Sequence, residues 1–331
     1  MFRMRSVALA VGLAARLALP AVVPAVASYP GHENGRIAFG QRAADGSANI
    51  FSVLPDGTGL KQLTHGAHFH LCPSYSADGQ QIAYCSDVSG SWEIWAMKQN
   101  GTGQHRVTHL NGFSTFPDYS PDGSKIAFMG SLDADPSDEV YVMNAANGGG
   151  MTKLTSCPVD FCLNDFPVWS PDGREIAYAH AEQFDADFNA LDEQIWVMNA
   201  DGSNKHQLTT DSRPKDQVPD WSPDGSKIAF ASGGFGDGQI WVIDANGTNQ
   251  HQLTGCAPSD PQPCAYGDDF GTAWSPDGTK IAFLHSFQAL GTNNRPVYVM
   301  NADGSGQHQL TPGTRVAAVP AWQARGVGAG S

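Results

Sequence analysis

Trp221–Thr254, WSPDGSKIAFASGGFGDGQIWVIDANGTNQHQLT, decides the fold. It opens on a short aromatic strand that turns at Pro223-Asp224-Gly225 into the alternating run Lys227-Ile228-Ala229-Phe230. A Gly-rich loop leads to a second alternating run, Gln239-Ile240-Trp241-Val242-Ile243. A turn at Asp244-Ala245-Asn246-Gly247 then leads into a last short strand ending Gln252-Leu253-Thr254. Period-two alternation argues strands, and Asp-Gly and Asn-Gly supply the residues that tolerate the backbone of a tight hairpin. The stretch therefore predicts four strands in one antiparallel sheet. Such a sheet cannot bury both faces alone, and the chain supplies copies.

Segments ending in Leu-Thr or Val-Thr stop at Thr64, Thr108, Thr155, Thr209, Thr254 and Thr311. Opening aromatics stand at Tyr75, Tyr119, Trp169, Trp221, Trp274 and Trp322, spaced by 44, 50, 52, 53 and 48 residues. The first repeat begins on its second strand, at Gly35-Arg36-Ile37-Ala38-Phe39. The chain closes with an opening strand, Val319–Trp322, that no repeat follows. Joined, the two ends complete one sheet and remove the exposed sheet edges of an open array. The expected fold is an all-β, six-bladed β-propeller of four-stranded blades over residues 35–322, with Val319–Trp322 beside Ile37–Phe39.

These repeats, YSADGQQIAY, YSPDGSKIAF, WSPDGREIAY, WSPDGSKIAF and WSPDGTKIAF, are followed by I-W-V-M-N-A-D-G-S-type strands and a closing L-T. They resemble the WD40-like (PD40) repeat of the TolB propeller family, also found in peptidase-associated propellers. The resemblance implies a six-bladed propeller but leaves function open, because one fold hosts many activities. The family's small N-terminal α/β domain finds no room between Ala27 and Gly35, and a peptidase domain is likewise missing.

Residues 1–27 read as a signal peptide, with Arg3 and Arg5 before a mostly apolar run and Ala25-Val26-Ala27 as the cleavage site. Arg16, Pro20 and Pro24 argue against a stable spanning helix. A short lead would span 28–34 and a flexible tail 323–331. The expected protein is an exported monomer, secreted or in the periplasm or cell envelope, with no membrane span in its mature form. Cleavage removes three arginines and no acid, taking the formal charge from −14 to −17. That balance excludes a basic nucleic-acid footprint and favours cationic partners.

Six cysteines in an exported chain read as three local staples: Cys72–Cys85, Cys157–Cys162 and Cys256–Cys264. The first pair lies opposite across the hairpin centred on Asp78-Gly79. The PDG and DG turns stay short, whereas length variation falls on the opposite end of the blades, as in His180–Glu193, Ser156–Phe166 and Gly255–Gly271. Variable loops on a constant scaffold are where binding groups are usually placed.

On that loop face, the residues five before each opening aromatic should descend into the channel mouth. They include His70, Ser114, Asn164, Asp216 and Asp269. Asp118 and Asp220 stand where other blades carry Ser74, Val168, Ala273 and Ala321. Buried carboxylates need water, backbone amides or a cation. His70, Asp118, Asn164, Asp216, Asp220 and Asp269 are thus the candidate binding residues, and the competing reading is a hydrated channel with Asp capping amides. His105, His206, His251 and His308 recur before the closing residues and read as scaffold. His68, His70 and His109 offer a metal alternative, with His68-x-His70 supplying two ligands and His109 or a loop carboxylate a third. Asp185-x-Asp187-x-Asn189 imitates an EF-hand start and fails at Ala190 and Trp196. No cofactor is expected, and a divalent cation is the one candidate. The functional expectation is a non-catalytic module binding protein, peptide or glycan. The alternative is an enzyme, either a metal-dependent polysaccharide lyase or a hydrolase with dispersed residues.

Overall fold

The computed structural model describes residues 33–110, 112–132, 137–159, 161–185, 190–210, 215–233, 238–255, 267–287, 295–312 and 316–325. The segment expected to be a signal peptide and the expected Cys256–Cys264 pair lie outside them.

Among the described residues, twenty-four strands form six four-stranded antiparallel sheets. Blade 1 is ordered β24-β1-β2-β3, from Val316–Arg325, Glu33–Arg42, Ala48–Val53 and Lys61–Gln62. Blades 2 to 6 each run in chain order from their inner strands. Those inner strands are β4 (His70–Tyr75), β8 (Gly112–Tyr119), β12 (Leu163–Trp169), β16 (Asp216–Trp221) and β20 (Gly267–Trp274). Together with β24 they touch one another in a closed cycle, β4 to β8 to β12 to β16 to β20 to β24 and back to β4. No helix among the described residues is long and apolar enough to cross a membrane.

Each element of the repeat has a physical role. In the S-x-D-G turns, Ser76, Ser120, Ser170, Ser222 and Ser275 donate to Asp78, Asp122, Asp172, Asp224 and Asp277 at 2.6–2.7 Å. The same hydroxyls accept the backbone N–H five residues on, at 2.9 Å. Hydrogen bonds from Ser120 and Ser124 hold Asp122 below the usual carboxylate range. The closing threonines complete the outer edge, where the fourth strand is two residues long. Thr64, Thr108, Thr155, Thr209, Thr254 and Thr311 each accept the N–H of a third-strand residue, Ile50, Ile94, Val140, Ile195, Ile240 or Val297, at 2.8–3.0 Å. A hydroxyl thus satisfies a buried donor that the short fourth strand leaves over.

Closure follows the expected strand pairing: Ile37 pairs Trp322, Ala38 pairs Ala321 and Gly40 pairs Ala318. The strands run further than the sequence suggests. Pairing continues through Asn34–Ala324 and Glu33–Arg325, into the segments expected to be lead and tail. Gln323 locks this joint. Its Oε1 accepts from Arg36 N–H at 3.0 Å, and its Nε2 donates to Gly79 O at 2.8 Å in blade 2. Gly79, at φ 67°, is required here, because a Cβ would lie 2.1 Å from Ala324 O. Asn34 and Asp277 add a reciprocal pair of bonds between the N-terminal strand and blade 6.

A bulge interrupts the inner strand of blades 2 to 6, three residues before the aromatic. Cys72, Phe116, Phe166, Val218 and Gly271 occupy it at φ 53–66°. Four of the five are not glycine, and left-handed backbone costs such residues on the order of 1–2 kcal/mol each. Burial offsets this: the four are at most 8 % exposed, and the Phe116 and Phe166 rings meet at 4.8 Å. The bulge shifts the register expected for the first hairpin, so Cys85 pairs Leu71 rather than Cys72. The disulfide Cys72–Cys85 forms nonetheless, as does Cys157–Cys162.

Candidate functional site: the channel mouth and loop face

Equivalent residue pairs of the first and second strands, each five residues before the opening aromatic, form a rung near the loop-face end of the blades. Partners are His70–Ser86, Ser114–Gly130, Asn164–His180, Asp216–Ser232 and Asp269–His285. Their backbones are tied to the preceding blade: the N–H groups of Ser114, Asn164, Asp216 and Asp269 donate to Trp92, Asp138, Glu193 and Gly238 carbonyls at 2.8–2.9 Å.

Three of the rungs are bonded through their side chains. His70 Nδ1 and Ser86 Oγ lie 3.0 Å apart, and burial pushes the His70 imidazole down to about 4. Asn164 donates through Nδ2 to Glu139 Oε2 at 3.0 Å and presents Oδ1 to His180 Nδ1 at 2.9 Å. His180 Nε2 reaches Glu182 Oε1 at 3.2 Å, and its ring stands edge-on to Trp196 at 5.0 Å. Asp269 Oδ1 bonds His285 Nδ1, and the His285 ring rests against Tyr298 at 4.9 Å. Burial, with Asp269 beside it, raises the Tyr298 phenol. Asp216 is fully buried on the same rung.

Asp118 and Asp220 do something else. Asp118 Oδ2 accepts the Trp169 N–H at 2.8 Å and Asp220 Oδ2 accepts the Trp274 N–H at 2.6 Å, each in the following blade. Both carboxylates are caps across a blade seam. Burial pushes Asp220 well above the usual carboxylate range, and the charge of Asp118 adds to the rise.

The structure does not bring His68, His70 and His109 together. His68 is exposed with Nδ1 3.4 Å from Asp87 Oδ1, His70 is buried against Ser86, and His109 is exposed. Among the described residues the one compact group of ligand-type atoms is Glu139, Cys157 and Cys162. Its sulfurs are joined in a disulfide, so that donor set does not suit a metal ion. The EF-hand-like loop falls largely outside the described residues. His105, His206, His251 and His308 each hold Nδ1 2.8–3.1 Å from the carbonyl two residues back, on exposed outer strands.

Two groups were missed in the sequence. Glu93 and Glu139, each at most 1 % exposed, open the third strand of blades 2 and 3. Glu139 takes bonds from Lys153 (3.1 Å), Thr155 (2.5 Å), Cys157 N–H (3.0 Å) and Asn164. Glu93 takes the equivalent set from Arg106, Thr108, Leu110 N–H and Ser114. Their recurrence as E-I-W and E-V-Y, where other blades carry Q-I-W, N-I-F or P-V-Y, is the signal that marks the position. The second group is aromatic. Phe69 and Trp92 lie 6.0 Å apart beneath the Arg42 guanidinium, which stands 5.5 Å over Phe69, while Phe161 and Phe184 lie 4.8 Å apart.

The mouth is therefore rigid, acidic and hydrogen-bonded, with half-buried aromatics on the surrounding loops.

Comparison with known proteins agrees with this geometry. Residues 36–188 match the family model described as TolB beta propeller domain. TolB from Acinetobacter baumannii superposes with a TM-score of 0.68 at 21% identity, over 87% of this chain and 66% of that one. A chain of a Nidogen/Laminin complex gives 0.64 at 13% identity, over 87% and 98%. An oligogalacturonate lyase solved with manganese gives 0.54 at 15%, over 85% and 74%. No curated protein sequence matches the chain.

Proposed function

Because the chain is a six-bladed propeller of TolB-type repeats, we propose that it is an exported binding protein that engages a protein or peptide through its loop face and channel mouth, without catalysis. The observation that carries this reading is the state of the mouth's polar groups. Asp118 and Asp220 are bound to backbone amides, and His70, Asn164, His180, Asp269 and His285 are held in cross-strand bonds. Groups so engaged give a preorganised surface, which lowers the ordering cost of binding. Two disulfides support export. The formal charge supports a cationic ligand over an acidic polymer.

The lyase reading has one observation behind it, the likeness to a manganese-bound oligogalacturonate lyase together with a histidine-bearing mouth. One experiment separates the two. The purified mature chain is mixed with basic peptides, and separately with uronate oligosaccharides plus Mn²⁺. The binding reading predicts saturable peptide binding and no unsaturated sugar product. Sugar cleavage lost on His285→Ala would overturn it.

A further inference from the structure

The loop face is chemically lopsided. Large apolar side chains that stand in solvent among the described residues are Leu60, Val88, Val159 and Leu191, at 40–52 % exposure. Leu60 follows a turn of blade 1 on the opposite face, whereas the other three lie on the loop-face connections of blades 2 to 4. Beside them are the two half-buried aromatic pairs, Phe69–Trp92 and Phe161–Phe184. Clustered exposed apolar groups rimmed by polar ones mark interaction surfaces, whereas a single one such as Leu60 needs no explanation.

Charge on the same arc runs one way. Segments 65–69, 87–92, 109–113, 156–162 and 181–192 contain no Lys or Arg, and they carry Asp87, Glu182, Asp185 and Asp192 among their acids. Of the cations around the arc, Arg106 is engaged with Glu93, Lys153 with Glu139 and Arg42 over Phe69, and Lys215 follows on the next connection. The scaffold under the arc is fixed by the seam bonds of Glu93 and Glu139 and by the Cys157–Cys162 bridge.

We infer that the loop-face arc over blades 2 to 4 is the docking surface for an extended basic peptide segment that also carries aromatic or aliphatic side chains. Apolar side chains of the segment pack against Trp92, Phe161, Val159 and Leu191, and its cations face Asp87 and Glu182. This rests on the binding reading above and narrows it to one arc and one ligand chemistry. Basic charge alone gives a salt-screened encounter, and the apolar contacts supply the residence time.

The test uses three synthetic peptides of equal length, alternating Lys–Phe, Lys–Ser and Glu–Phe, followed by fluorescence anisotropy with the mature protein. The Lys–Phe peptide binds at least about tenfold more tightly than either other peptide. Exposed substitutions Val159→Asp and Leu191→Asp weaken it by about tenfold, whereas Leu60→Asp on the far face leaves it unchanged. Matching melting curves check that each variant is folded. Equal binding of Lys–Phe and Lys–Ser, or wild-type affinity in both arc variants, overturns the arc while leaving a peptide-binding protein. No binding of any peptide overturns both.

Discussion

Asp220 Oδ2 accepts the backbone N–H of Trp274 at 2.6 Å across the seam between blades 5 and 6, from a position with no solvent exposure. A residue that the sequence marks as a ligand-binding carboxylate thus fastens one blade to the next. Asp220→Ala leaves the Trp274 amide buried without a partner, a loss of about 1–3 kcal/mol. Asp220→Asn keeps an acceptor and loses less. Chemical denaturation of the two variants beside wild type measures the difference, and equal stability of all three contradicts the cap.

Two groups give opposite pH slopes. The folded Asp220 carboxyl binds its proton more tightly than the ordinary 3.8, so its contribution is complete below 3.8 and declines as pH rises through the higher folded value. His70 titrates near 4 when folded against 6.5 when unfolded. Its contribution is complete above 6.5 and is lost as pH falls toward 4, because the unfolded chain takes up the proton first. Stability measured across pH 4 to 6.5 therefore falls less steeply in His70→Gln than in wild type.

Gln323 bridges Arg36 in blade 1 to Gly79 in blade 2. Gln323→Ala should cost about 1–3 kcal/mol by orphaning buried groups. Deletion from Val319 onward removes the inner strand of blade 1 and should lower the melting temperature far more. An unchanged melting curve for the deletion would refute closure by the C-terminal strand.

The disulfides differ in reach: Cys72–Cys85 spans 13 residues and Cys157–Cys162 spans 5. On chain entropy alone the first contributes about 3 kcal/mol and the second about 2. Paired Cys→Ser variants, compared by denaturant midpoint, should rank in that order.

The blades were legible because Asp-Gly turns and alternating strands are local signals, and the Val319–Trp322 closure followed from counting repeats. The inner-strand bulge was not, because Cys72, Phe116, Phe166 and Val218 adopt left-handed backbone under tertiary packing that no local rule anticipates. The equivalent register of His70, Asn164 and Asp269 was legible, and the roles of their side chains were not. The three residues lie on one rung, as the offset from the opening aromatics predicts. That Asp118 and Asp220 turn toward the next blade's amides depends on how blades pack. Phe69–Trp92 and Phe161–Phe184 were passed over because their partners come from connections 23 residues apart in each case, and proximity there is a product of the fold.

Hydrogen–deuterium exchange of the mature protein, with and without saturating Lys–Phe peptide, tests the central claim most directly. The account predicts protection at 65–69, 87–92, 110–113, 157–159 and 181–185 on the loop face, with the turns at Asp78, Asp122, Asp172, Asp224 and Asp277 unchanged. Protection confined to those turns, or none at saturation, would contradict it.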